Sequence, residues 1–283
     1  MRGAPSGPTS GADEWVENRP THGRRALRLD ELWSYRELVA FLALRDVKVR
    51  YKQAVFGGAW AVVQPLTGAA IFTVLFGRVA KLTSDGIPYF AFAFAGFSLW
   101  WYFATSVNNS RSSLVSNAAL ITKVYFPRMV APLAGVLPGL LDLAVTLVVL
   151  GVVMAVMGLA PGIAIVTAPL FVAAAMVVAF AAGTLFAAVT VQYRDVEQVF
   201  GLVVQLWLLA TPVGYSSSVV TGAWRWPYRL NPMVTVVDGW RWSLLGGPPL
   251  GPEALVSVAV TAVLLMVGVR VFLRCERRFA DVI

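Results

Sequence analysis

RMVAPLAGVLPGLLDLAVTLVVLGVVMAVMGLAPGIAIVTAPLFVAAAMVVAFAAGTLFAAVTVQYR, residues 128–194, is the stretch on which the fold turns. Between Arg128 and Arg194 the only charged residue is Asp142. A helix that crosses a bilayer needs roughly 20 apolar residues. This stretch therefore holds two crossings, split at the turn signal Gly158-Leu-Ala-Pro161-Gly162. The same search for charge-free runs finds residues 53–77, 86–110 and 198–224, and an apolar pattern that continues from Glu253 to about Leu273. The expected spans are about 57–77, 88–108, 130–157, 163–190, 198–217 and 254–273. The fold class is an all-α polytopic membrane protein with six transmembrane helices.

Composition agrees. The chain is 58% hydrophobic and 13% charged, against roughly 25% charged for soluble domains. The net charge of +8 would raise nucleic-acid binding in a soluble chain, but here the basic residues gather at span ends, so no nucleic-acid partner is expected. With both termini on one side, that side carries eighteen Lys and Arg and the other carries five. The positive-inside rule then places both termini in the cytoplasm. A single cysteine, Cys275, and a single histidine, His22, leave no disulfide within the chain and no metal site.

Four segments lie outside plain spans and loops. Residues 1–30 are polar, without a signal-peptide core, and read as a disordered cytoplasmic tail. Residues 31–56 read as an amphipathic interface helix, with Leu32, Trp33, Tyr35, Leu38, Val39 and Leu42 at helical spacing. Its basic end holds Arg45, Lys48, Arg50, Tyr51 and Lys52. Residues 218–252 carry five Trp or Tyr residues among prolines and glycines. Their longest apolar run, Met233 to Val237, is too short to cross, so a re-entrant outer segment is expected. The spanning domain covers 57–273, and 274–283 form a cytoplasmic tail.

Chemistry is sparse. No Gly-x-x-x-x-Gly-Lys-Ser/Thr phosphate loop occurs, so ATP-driven work needs a separate subunit, and no cofactor is expected on this chain. Asp195 and Glu197 are either catalytic carboxylates or a solvated turn, and the lack of a nearby histidine favours the turn. Asp142 is either a proton or gating site or a carboxylate bonded near a helix end. A lone acid without a basic partner in another span favours the second. The run Trp100-Trp101-Tyr102-Phe103 is either packing or a sugar-lined path. The loop Asn117 to Arg128 exposes Ile121, Val124, Tyr125 and Phe126 to either a protein partner or lipid.

Five ordered stretches resemble the permease subunits of type-2 ABC exporters for O-antigen, capsule and teichoic acid. They are Arg45–Gln53, Gly57–Pro65, Asn117–Arg128, Arg194-Asp195-Val196, and Trp224 through Leu230-Asn231-Pro232-Met233. The resemblance runs over about residues 32–278 and implies a homodimer in the bacterial cytoplasmic membrane. It implies two copies of a separate ATPase that holds ATP and magnesium, and an undecaprenyl-linked glycan as substrate. Related permeases for small lipids or drugs are the alternative. Leu120, Ile121, Thr122, Lys123, Val124, Tyr125, Phe126 and Arg128 would form a coupling helix on the ATPase. Trp100, Trp101, Tyr102 and Phe103, with Phe72 and Phe76, would line the path. Arg45, Lys48, Arg50, Tyr51 and Lys52 would flank a gate, where the basic side chains meet either the carrier pyrophosphate or anionic lipid.

Overall fold

A computed structural model describes residues 29–52, 59–193 and 195–282. The expected tail and residues 53–58, which include Gly57 and Gly58 of the second motif, lie mainly or wholly outside the described residues, as does Arg194. Twelve α-helices are numbered in chain order: α1 Leu29–Ser34, α2 Arg36–Lys52, α3 Ala59–Phe72, α4 Tyr89–Ser116, α5 Ala118–Ile121 and α6 Val130–Gly135, then α7 Gly139–Val156, α8 Ala168–Gln192, α9 Val196–Leu209, α10 Arg225–Tyr228, α11 Pro232–Leu245 and α12 Ala254–Val282. A π-helical stretch, Thr73–Val79, extends α3.

Among the described residues, five helical segments are long and apolar enough to cross a membrane: Ala59–Val79, Tyr89–Ser116, Val130–Val156, Ile163–Gln192 and Ala254–Glu276. The sixth expected span, 198–217, is helical only as α9, 14 residues or about 21 Å at 1.5 Å per residue. That falls short of a hydrocarbon core of about 30 Å. Pro212, which has no backbone N–H to donate, follows its end.

Helix α4 is the central post. Every residue from Ala91 to Trp100 is buried, enclosed by α3, α6, α7, α8 and α11. Lipid tails are as apolar as leucine, so helices in a bilayer are held by close packing and internal hydrogen bonds. Small residues supply the close packing. The α8 face carries Ala175, Ala179, Ala182, Gly183 and Ala187, all buried. A Cβ on Gly183 would stand 2.4 Å from the Ser110 side chain. A Cβ on Gly268 in α12 would stand 2.6 Å from the Ala181 carbonyl oxygen.

Helix α11, a buried helix, occupies part of the segment 218–252 expected to be re-entrant. Its start is readable in Asn231-Pro232. The Asn231 side chain accepts from the Met233 N–H at 3.1 Å, and Pro232 takes the first turn, where no donor is needed. Gly246 ends it in the left-handed conformation. Trp240 Nε1 donates to the Ala95 carbonyl at 3.0 Å, and Arg241 Nε to that of Phe92 at 3.1 Å, which ties α11 to α4.

Gly268→Ala forces α12 away from α8 and is expected to cost about 1–3 kcal/mol through overpacking. Gly151→Ala, with no atom within 4 Å of its Cβ position, is expected to leave stability unchanged or raise it by up to about 1 kcal/mol, since alanine is the better helix former. Thermal unfolding of the two detergent-solubilised variants separates them, and equal midpoints would refute the packing assignment.

Candidate functional site

Helices α1 and α2 run along one end of the bundle. Val39 and Leu42 of α2 pack with Phe126, Val130 and Ala134, while Trp33, Phe41, Leu44 and Val49 point outward. Within the segment expected as an interface helix over 31–56, the described residues are helical to Lys52 with a turn at Tyr35, and 53–56 lie outside the described residues. Its far end is fixed to α7. Arg50 Nη1 donates to Asp142 Oδ2 at 2.6 Å, and the Tyr51 hydroxyl donates to Asp142 Oδ1. Asp142 lies in the first turn of α7, where the helix dipole favours a negative charge. Burial, then the bond to Asp142, pushes the Tyr51 phenol up to about 12, so it stays a donor. The favoured reading of Asp142, a carboxylate near a helix end bonded to a neighbouring helix, agrees with this geometry, and among the described residues no other span supplies its basic partner. The partner comes from the interface helix, far away in sequence.

The residues expected at a gate divide by this geometry. Arg50 and Tyr51 hold Asp142, and Arg45 pairs with Asp46 at 2.6 Å. Lys48 and Lys52 are exposed. The four cations expected to act alike on one anionic headgroup do not stand alike.

The loop after α4 is shorter in helix than expected: α5 has four residues. Thr122, Lys123, Val124 and Tyr125 form an exposed tip, with Tyr125 67% exposed. Phe126 is 5% exposed, wedged between α2 and α6, so its expected exposure is corrected. Leu120 and Ile121 are half-buried against the same cluster. Arg128 donates to the Glu276 carbonyl of α12, a tie within the chain.

The aromatic run also separates. Trp100, Tyr102 and Phe103 are 2%, 2% and 1% exposed. Phe103 packs edge-on against Trp207 of α9 at 5.0 Å, and the Tyr102 hydroxyl donates to the Val136 carbonyl. Consecutive residues cover the whole circumference of a helix, and α4 has neighbours on nearly every side, so large apolar rings fill the core. Only Trp101 reaches the surface of the protomer. Phe72 and Phe76 are half-buried and pack edge-on at 4.9 Å.

Past Trp100, α4 shows one open side. Trp101, Thr105, Asn108, Ser112 and Ser116 follow at helical spacing and are half-exposed or exposed. This polar strip lies on the side left free by α3, which meets α4 through Phe72 and Phe97, and by α9, which meets it through Phe103 and Trp207. In the sequence the strip is hidden because Arg111 closes the charge-free run 86–110. Arg111 instead lies inside α4, 6% exposed, over the Phe200 ring at 4.6 Å and 3.5 Å from Glu197. Arg111 Nη2 donates to Asn108 Oδ1 at 3.1 Å and to Glu197, and Asp195 is an exposed residue at the start of α9.

Residues 37–245 match the family model described as ABC-2 type transporter. The chain belongs to the ABC-2 type transporter family. Two curated relatives from Klebsiella pneumoniae, each named O-antigen export system permease protein RfbA, are 30% identical over 250 residues, covering 87% of this chain and 95% of each relative. A Myxococcus xanthus protein of the same name is 29% identical over 254 residues, covering 89% and 97%. The ABC-2 match begins within α2 and ends with α11. It thus includes both the Asp142 anchorage and the exposed tip.

Asp142→Ala is expected to free the end of α2 and to speed tryptic cleavage after Lys48 and Lys52 several-fold. The exchange Arg50→Asp with Asp142→Arg is expected to restore slow cleavage. Failure of the exchange, with both single variants labile, would show that the anchorage does not depend on charge pairing.

Proposed function

We propose that this chain is the membrane-spanning subunit of an ATP-driven exporter that carries an undecaprenyl-linked, O-antigen-type polysaccharide across the bacterial cytoplasmic membrane. It works as a homodimer beside two copies of a separate ATPase, which supplies ATP and magnesium. The observation that carries this reading is the near full-length likeness to O-antigen export permeases from two bacteria. The geometry is compatible with each part of it.

The α2 end is the cytoplasmic end, as its basic residues favour, and the exposed tip Thr122–Tyr125 is the ATPase dock. Its neighbour Phe126 holds the tip against α2, so ATP-driven movement reaches the gate helix directly. ATP shifts the gate by contacting the tip differently in two states, the only way a ligand moves an equilibrium. Lys48 and Lys52 meet the anionic carrier or lipid headgroups. Helix α9 has one buried residue, Phe200, so most of its surface is available for the second protomer or lipid. The polar strip of α4 then lines the inner half of a path between protomers. A glycan needs hydrogen-bonding partners there, because its hydroxyls are costly to strip of water. Helix α11 is the re-entrant element, too short to cross at about 21 Å and shielded by α4, α8 and α12.

Three outcomes test the reading. Affinity purification of the chain from native membranes is expected to recover a phosphate-loop ATPase whose turnover rises with lipid-linked glycan. A chain recovered alone would overturn the proposal. Tyr125→Asp is expected to lower ATPase recovery at least tenfold with unchanged thermal stability, whereas Phe126→Asp buries a carboxylate and lowers stability itself. Equal behaviour of the two would remove the tip as the dock. Asn108→Leu with Ser112→Leu is expected to reduce surface polysaccharide several-fold with assembly intact. Normal export from that variant would take the α4 strip out of the path.

A further inference from the structure

At the end of the bundle opposite α2, a cavity of about 220 Å³ opens among the loop before α4, the segment after α9 and the start of α12. It is smaller than drug-sized sites, which begin near ~300 Å³. Three carboxylates, Asp85, Asp238 and Glu253, face three arginines, Arg225, Arg229 and Arg241. Formal charges therefore balance, and the lining offers many donors and acceptors without a net field. Apolar surface completes it, chiefly Phe92, Pro248 and Pro249.

The polar groups are held in place. Asp238 accepts from Ser217 at 2.7 Å and from Arg229 at 2.9 Å. Asp85 accepts from Ser216 and Ser218. The guanidinium of Arg241, 3% exposed, lies over the Phe92 ring at 3.7 Å. Its Nε and Nη2 donate to backbone carbonyls, but its Nη1 has no partner among the described residues. A buried charged donor left unmade costs more than an ordinary missing bond. Glu253 lies 3.9 Å from Arg229, beyond a good hydrogen bond, so it retains acceptor capacity. Exposed Trp224 and Trp226 bracket Arg225 in the chain.

We propose that this cavity is a saccharide site for one neutral sugar ring of the exported glycan. Ring hydroxyl oxygens accept from the terminal nitrogens of Arg225, whose Nε alone is used on the Val220 carbonyl, ring hydroxyls donate to Glu253 and Asp85, and a C–H face rests on the apolar wall. A balanced set of carboxylates and arginines suits an uncharged polyol better than a free anion, for which the acids would be repulsive. The proposal rests on the glycan-export reading, which puts this end on the delivery side. There the site holds sugar that has already crossed and opposes its return.

The test uses the full chain in lipid nanodiscs and saturation-transfer NMR with methyl α-mannoside, methyl β-galactoside and inorganic phosphate as separate probes. At least one glycoside is expected to bind in the millimolar range and phosphate not. Glu253→Gln and Arg225→Ala are expected to weaken that binding at least fivefold. Gly247→Phe is expected to abolish it by filling the cavity that Gly247 lines, since a Cβ there meets its nearest neighbour, Ile87, only at 3.7 Å, ordinary van der Waals contact. Absence of glycoside binding, phosphate binding alone, or full binding by Gly247→Phe would each overturn the site. Recovery of the ATPase from native membranes is scored in parallel. If it persists while the glycosides fail, the cavity assignment falls and the exporter reading stands. If it fails, the exporter reading falls on its own evidence.

Discussion

The close enclosure of α4 by helices that present glycine and alanine is the constraint on which the remaining structure depends. Without a hydrophobic force between apolar helices in a bilayer, van der Waals contact must be tight to hold them together. Gly135 reaches the backbone at Asn109 and Ser110, Gly139 reaches Tyr102, and Gly183 reaches Ser110. Three helices thus converge on one short length of α4. Their convergence fixes which of its faces remains open, and so determines where Thr105, Asn108 and Ser112 can point.

The two ends of the bundle solve different problems with the same chemistry. At the α2 end, Asp142 receives Arg50 and Tyr51 from a helix whose buried contacts otherwise centre on Val39, Leu42 and Ala43, with Leu38 beside them. At the other end, Arg229 links Asp238 of α11 to Glu253 beside α12 and donates to Thr235 as well. Apolar packing dominates between the ends. Asn231 marks the boundary: it caps α11, accepts from the Trp207 indole at 2.9 Å and donates to Thr211 at 2.9 Å, so that one side chain joins α9 to α11.

Much of the helical layout is legible in the sequence, because charge-free length is a direct consequence of bilayer thickness. The break at Gly158–Gly162, the two long apolar helices on either side of it and the start of α11 at Asn231-Pro232 all follow from local chemistry. What was not legible depends on neighbours distant in the chain. Arg111 looks like a span boundary until Phe200 and Glu197 are brought beside it. Phe126 looks as exposed as Tyr125 until α2 is laid across it. Trp100, Tyr102 and Phe103 suggest a lining surface, but a helix with packed neighbours on nearly every side keeps such rings inside. The apolar run 198–217 exceeds its helix because hydropathy does not register the proline at Pro212.

The open strip on α4 bears on protein supply in the cell. Hydroxyl and amide side chains sit comfortably against water, sugar or another protomer and poorly against acyl chains. A single copy inserted alone would present Asn108 and Thr105 to lipid, and most of α9 would lack a protein neighbour. Synthesis in excess of assembly would therefore accumulate the least stable form of the molecule. That form would be the natural target of membrane quality control, so under the proposed homodimeric assembly the amount of assembled protein, rather than the rate of translation, would set how much of this chain survives.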